Sequence, residues 1–168
     1  VEPGLYRPPL SSAPPMGTKN PLISVISWYV FFTTLSMNPP LAISIHGGAG
    51  TMDKKNLTGD LYKQYEQALH QALQACLTIL QKGGHSIDAV EASVMALEDC
   101  PFFNAGRGSV FNSEGQHEMD AAIMDGRTLK AGAVAGISQI KNPVRVARTV
   151  MDKSRFVFLC GQGANTFA

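Results

Sequence analysis

The chain has 168 residues, 45% hydrophobic and 16% charged, which suits one globular domain or a large part of one. Its net charge of +1, with Lys and Arg scattered, gives no electrostatic case for nucleic acid or an anionic membrane surface. Three cysteines (Cys76, Cys100, Cys160) fit neither a disulfide framework nor a zinc spacing, so free buried thiols in a reducing, cytoplasmic compartment are expected.

Residues 1–36 stand apart from the rest. The proline-rich opening "VEPGLYRPPLSSAPPMGTKNP" reads as disordered. The apolar run Leu22–Phe32 that follows is shorter than the ~20 residues that span a bilayer. With only Arg7 and Lys19 ahead of it, this run also makes a poor signal-peptide core. The leader is therefore expected to lie outside the functional fold, with a compact chain from Met37 onward.

Leu41, Ile43 and Ile45 alternate with small or polar residues, which predicts a strand ending at His46. The strand runs into His46-Gly47-Gly48-Ala49-Gly50. No lysine follows at P-loop spacing, and the third glycine of a dinucleotide fingerprint would fall on Asp53, so neither phosphate motif is present. His46 is expected to be a hydrogen-bonded structural residue. Three glycines in four residues imply that something packs directly on this backbone.

Apolar positions from Leu61 to Leu80 recur at helical spacing and stop at Gly83-Gly84, which predicts a helix over 60–82. Ser86 is a candidate N-cap for a second helix, with Ile87, Val90, Val94 and Leu97 inward and Pro101 ending it. The loop Asn104–Gly108 then follows a helix C-terminus, where carbonyls accumulate and favour cations. Loop carbonyls are what a hard alkali or alkaline-earth ion requires.

Further on, Ser109–Asn112 and Glu118–Met124 read as a hairpin turning at 113–116, followed by a turn at "DGRTLK" and a strand Ala131–Ile137. Asn142-Pro143 opens another helix, with Val144, Ala147, Val150 and Met151 inward. Phe156–Cys160 is a last strand, and Gly161–Gly163 leads into a helix. Glu118, Asp120 and Asp125 form no carboxylate pair across a cleft, since Asp125 belongs to a turn. The expected class is a layered α/β protein with antiparallel content. Spacing alone yields no Ser-His-Asp set, Cys-His pair or metal cluster.

Taken in order, "SIHGGAG", "DAVEASVMALEDCPFFNAGRGSVF", "HEMDAAIMDGRTLKAGAVAGI" and "KNPVRVARTVMDKS" resemble the plant-type L-asparaginase/isoaspartyl aminopeptidase family of N-terminal-nucleophile hydrolases. The resemblance runs from about Ala42 to Ala168. It implies an αββα sandwich, of which this chain would be a partial copy: residues 37–168 as the α-subunit portion, without the β-subunit half. Such enzymes cut themselves into α and β chains, assemble as (αβ)2, and hydrolyse β-aspartyl dipeptides and L-asparagine. The β chain's N-terminal threonine is the nucleophile, and its own amine is the base.

Residue by residue, the resemblance implies that Gly47 and Gly48 are the glycine pair of the HGG loop, near the autocleavage site. Asn104 would be a supporting polar group near the active site. The main-chain carbonyls of Leu97, Glu98, Cys100, Phe103, Ala105 and Arg107 would hold a structural sodium ion. No other cofactor is implied. The family's nucleophilic and substrate-gripping residues belong to the β chain, and Thr166 does not stand in its T-V-G pattern. The chain alone is therefore expected to be inactive. A glycosylasparaginase, a taspase-like threonine hydrolase, and a non-enzymatic isoform that binds the full-length subunit are the alternatives.

Overall fold

A computed structural model describes residues 32–34, 41–48 and 59–168. The expected disorder of the proline-rich opening and the proposed start at Met37 lie outside the described residues. The elements are β1 (Phe32–Thr34), β2 (Leu41–Ile43), α1 (Gly59–Gln81), α2 (Ser86–Glu98), β3 (Met119–Met124), β4 (Ala131–Ile137), α3 (Pro143–Lys153), β5 (Phe158–Cys160) and α4 (Gly161–Phe167). β1 and β2 form an antiparallel ribbon; β3, β4 and β5 form a sheet in that order, antiparallel and then parallel.

α1 buries Ala68, Leu69, Ala72 and Cys76 of the stripe its periodicity predicts, and Leu73 beside them, while Leu61, Tyr65, Ile79 and Leu80 stay half-buried. It stops because Gly83 adopts φ +77°, while the N–H groups of Gly83 and Gly84 close onto the carbonyls of Leu80 and Ile79. This face packs with Ile45 and Phe103 in one apolar cluster. A second cluster lies between the three-stranded sheet and α3, and contains Ile123, Val134, Ile137, Val144, Ala147 and Val150. α3 sits so close to the sheet that a Cβ on Gly132 would collide with the Ala147 carbonyl and stand 2.5 Å from the Met151 nitrogen.

β4 and the turn at 125–130 follow the sequence reading, with Asp125 accepting hydrogen bonds from the Arg127 N–H and the Thr128 hydroxyl. Those two donors, the hydroxyl first, hold its carboxyl below the usual aspartate range. Asp120 also has a structural task. The β3–β4 register shifts between Met119 and Ala121, and there the Asp120 carboxylate accepts the Gly136 N–H at 2.8 Å.

Several local expectations are corrected. β2 ends at Ile43 rather than at His46, although Ile45 beyond it is buried. Residues Ser109–Asn112 make only a single bridge, Phe111 to His117, because the Val110 N–H donates to the Asn104 side chain and Ser109 bonds Gly106 and His117. His85, not Ser86, takes the N-cap position of α2, and Val90 is 45% exposed rather than inward. Of the thiols, Cys76 alone is buried; Cys100 is partly exposed and Cys160 exposed.

Candidate functional site

The two glycine loops singled out in the sequence meet at Phe103, Gly47 against its ring and Gly108 against its carbonyl. Gly47 lies against Phe103 and Leu69: a Cβ there would stand 3.0 Å from the Phe103 ring and 3.1 Å from Leu69. Phe103 is buried and meets Tyr65 edge-on, with ring centres 5.8 Å apart. Gly48 adopts φ +110°, a backbone conformation open to glycine, and its N–H faces His46 Nδ1 at 3.3 Å. His46 is itself exposed. Ala49 and Gly50 lie outside the described residues.

The second loop begins where α2 stops. Asp99 is the last helical-turn residue, and the Cys100 N–H returns to the Leu97 carbonyl. The chain then doubles back on its own carbonyl groups. The Ala105 N–H donates to Phe103 O at 2.8 Å, and the Gly108 N–H donates to Ala105 O at 3.0 Å. Gly106, at φ +50°, leaves no room for a Cβ beside the Glu98 carbonyl. A Cβ at Gly108 would collide with Phe103 O and stand 2.8 Å from Pro101 O. Both glycines are required by backbone-on-backbone contact, not by flexibility.

Asn104 is exposed, and its Oδ1 accepts the Val110 N–H at 3.0 Å, which ties the loop's two ends. That bond uses the carbonyl oxygen; the Nδ2 amide brings two further donors. Arg107 borders an open groove of 790 Å³ with Asp99, Gln116, His117, Gln139 and Lys141. Asp99 is held below the usual carboxylate range, first by the Asn142 amide and then by Lys141, whose Nζ lies 3.1 Å away.

Glu98 has a side-chain role that the sequence reading, which considered only its carbonyl, did not include. Its side chain is 3% exposed, and Oε1 accepts the Val144 N–H at 3.0 Å. Glu98 thereby caps α3 across 46 residues of chain, next to the positive end of that helix. Asn142 occupies the N-cap position but makes no cap bond and donates to Asp99 instead. Burial pushes the Glu98 carboxyl up, opposed by its bonds to Val144 and Asn142. A capping box three residues apart is legible in sequence; a cap from a distant helix is not.

Among the described residues, no group of three or more His, Cys, Asp and Glu side chains could hold a metal ion. No helix among them is long and apolar enough to cross a membrane. The six residues proposed as carbonyl donors all fall on the α2 C-terminus and the doubled-back loop, within residues 97–107.

A family model described as asparaginase matches residues 39–168. The chain is 45% identical over 126 residues to an isoaspartyl peptidase of Salmonella typhimurium, covering 75% of this chain and 40% of that protein. It is 49% identical over 128 residues to a plant-type L-asparaginase of Pyrococcus abyssi, covering 76% and 40%. It is 46% identical over 136 residues to an isoaspartyl peptidase/L-asparaginase of Homo sapiens, covering 79% and 41%. The chain thus spans about two-fifths of the length of these relatives.

Proposed function

The chain belongs to the asparaginase family, and from that premise we propose that it is the α-chain portion of a cytoplasmic hydrolase of isoaspartyl peptides and L-asparagine. The observation that carries this reading is the meeting of the HGG turn with the Asn104–Gly108 loop at Phe103. In this reading the threonine nucleophile, the base and the substrate-gripping groups reside on a β chain cut from the same precursor, with (αβ)2 as the assembly. The present residues then shape and support the site. Gly47 and Gly48 let another segment approach the backbone, and the Asn104 amide offers donors to a polar group held there. In this reading acyl transfer requires the threonine of the β chain, and the α-chain residues would not carry it out by themselves.

Sodium fits the loop. Phe103 and Ala105 each accept one N–H through the carbonyl and keep a second lone pair. Gly106 and Gly108 draw the Glu98, Pro101 and Phe103 carbonyls in tightly, at the negative end of α2. The main-chain oxygens of Leu97, Glu98, Cys100, Phe103, Ala105 and Arg107 would hold the ion, which would brace the loop rather than take part in bond breaking. Replacing sodium by choline at equal ionic strength should lower the melting temperature; an unchanged melt removes the ion from the proposal.

The open face of the sheet supports the same reading. Ala122, Ala133 and Phe158 lie in register on the side away from α3, flanked by Met124 and Cys160. Phe158 is 54% exposed and Met124 57%. A second sheet, as in an αββα sandwich, would cover this face. Mixing the chain with a threonine-led β chain of a relative, and assaying β-Asp-Leu, glycosylasparagine and a protein substrate, tests the proposal. Hydrolysis of β-Asp-Leu only in the mixture is expected. Activity of the chain alone, or turnover of one of the other substrates instead, would overturn it.

A further inference from the structure

Two successive residues at the end of α2 are tied to the start of α3. Glu98 Oε1 accepts the Val144 N–H at 3.0 Å. Asp99 accepts the Asn142 amide at Oδ1 and the Lys141 ammonium at Oδ2, each at 3.1 Å. This clasp grips the stretch of chain that carries the Leu97, Glu98 and Cys100 carbonyls. The other side of the loop rests on the same residue. A Cβ on Gly106 would stand 2.7 Å from Glu98 Cβ and 2.8 Å from its carbonyl carbon. Gly106 lies between Ala105 and Arg107, whose carbonyls belong to that side.

The bond from Glu98 is more than α3 by itself needs. Asn142 stands at the N-cap position and is of a residue type suited to cap the helix locally, yet it makes no cap bond. A glutamate from another helix caps it instead, 3% exposed and with Oε2 lacking a donor among the described residues. Enclosing a carboxylate in this way costs stability, so capping alone does not account for the arrangement. What the distant cap adds is a fixed position for Glu98. We propose that Glu98 is a positioning residue for the cation loop. Its bond to α3 holds its own carbonyl, and the Gly106 turn packed on it, in the geometry that receives a cation. Ion binding and docking of the α3 N-terminus are thereby coupled. The inference rests on the sodium reading of the loop. Such coupling is reciprocal: breaking the clasp weakens ion binding, and the ion slows opening of the clasp by the same factor.

The test compares the full chain in sodium chloride and in choline chloride at equal ionic strength. Removing an outer partner that orients a ligand costs about 10–100-fold in metal affinity, so Glu98→Ala should weaken sodium binding by at least about tenfold. Sodium NMR line broadening follows the binding. Glu98→Gln keeps an acceptor for the Val144 N–H and should restore most of the loss. Glu91→Ala is the control. It breaks the ion pairs of Glu91 with Arg145 and Arg148, which join α2 to α3 away from the loop, and should leave sodium binding unchanged. In the unsubstituted chain sodium should slow hydrogen exchange of the Val144 amide by about tenfold. Ser154, whose N–H bonds the Val150 carbonyl at the far end of α3, should not respond.

No sodium binding by the unsubstituted chain would remove the sodium reading and this inference with it. Binding that Glu98→Ala leaves intact, or that Glu91→Ala weakens as much, would overturn the inference alone. If Glu98→Ala does not fold, the exchange measurement decides: a Val144 amide that does not respond to bound sodium overturns the coupling.

Discussion

The two faces of the three-stranded sheet are made from the same three strands and differ in how closely they are packed. The face under α3 carries Ile123, Gly132 and Val134, all buried, and is close-packed to the point that Gly132 admits no side chain. The other face carries Ala122, Met124, Ala133 and Phe158, of which Met124 and Phe158 are more than half exposed. Alternation along the strands therefore does not separate an apolar face from a polar one, as it does in a sheet that meets water. Both faces are apolar, which is the composition of strands meant to be covered twice.

The largest effect should come from Gly132→Ala. The added Cβ meets backbone of α3, which cannot move aside as a side chain can, so the loss should reach or exceed the ~1–3 kcal/mol of overpacked cores. Chemical denaturation measures it, with Gly126→Ala as a control within about 0.5 kcal/mol, since nothing lies within 4 Å of a Cβ there. Next, Ile137→Ala on the covered side should cost about 2–5 kcal/mol. Met124→Ala on the open side should stay below about 0.5 kcal/mol in the isolated chain. Equal costs would erase the distinction between the faces.

Glu98→Ala attacks what holds α3 in place. It leaves the Val144 N–H without its acceptor, for a cost of about 1–3 kcal/mol, and Glu98→Gln, which keeps an acceptor oxygen, should recover most of it. A smaller effect concerns Asp125, in the turn between β3 and β4. Its carboxyl is held low in the folded chain, so its contribution is present above the unfolded pKa and lost as pH falls through the folded one. The stability difference between the chain and Asp125→Asn should accordingly shrink below about pH 4. Least disturbing is thiol labelling: exposed Cys160 on the open face should react well before Cys76, which is buried and whose thiol burial pushes up.

Elements whose signals are local were legible. α1, α3 and β4 follow from periodicity, from Gly83-Gly84 and Asn142-Pro143, and from the apolar run at 131–137. Ser109–Asn112 has a strand-like composition, but side chains eight or fewer residues away take up its hydrogen-bonding groups, and propensity has no access to that competition. β1 was not legible either, because a three-residue strand owes its existence to its partner. At the candidate site, the motifs marked Gly47, Gly48 and the Asn104–Gly108 loop, but not the Phe103 ring between them.

The sequence by itself determined the family, the helical stripes, the turns and the positions where glycine is needed, because these depend on side-chain chemistry within a few residues. The tertiary structure decided which glycines are sterically obligatory, that Glu98 caps α3, that Asp120 closes a register shift, and which sheet face is covered. Those outcomes depend on atoms brought together from far apart in the chain. Local pattern specifies what a segment can bury or bond; only packing specifies against what.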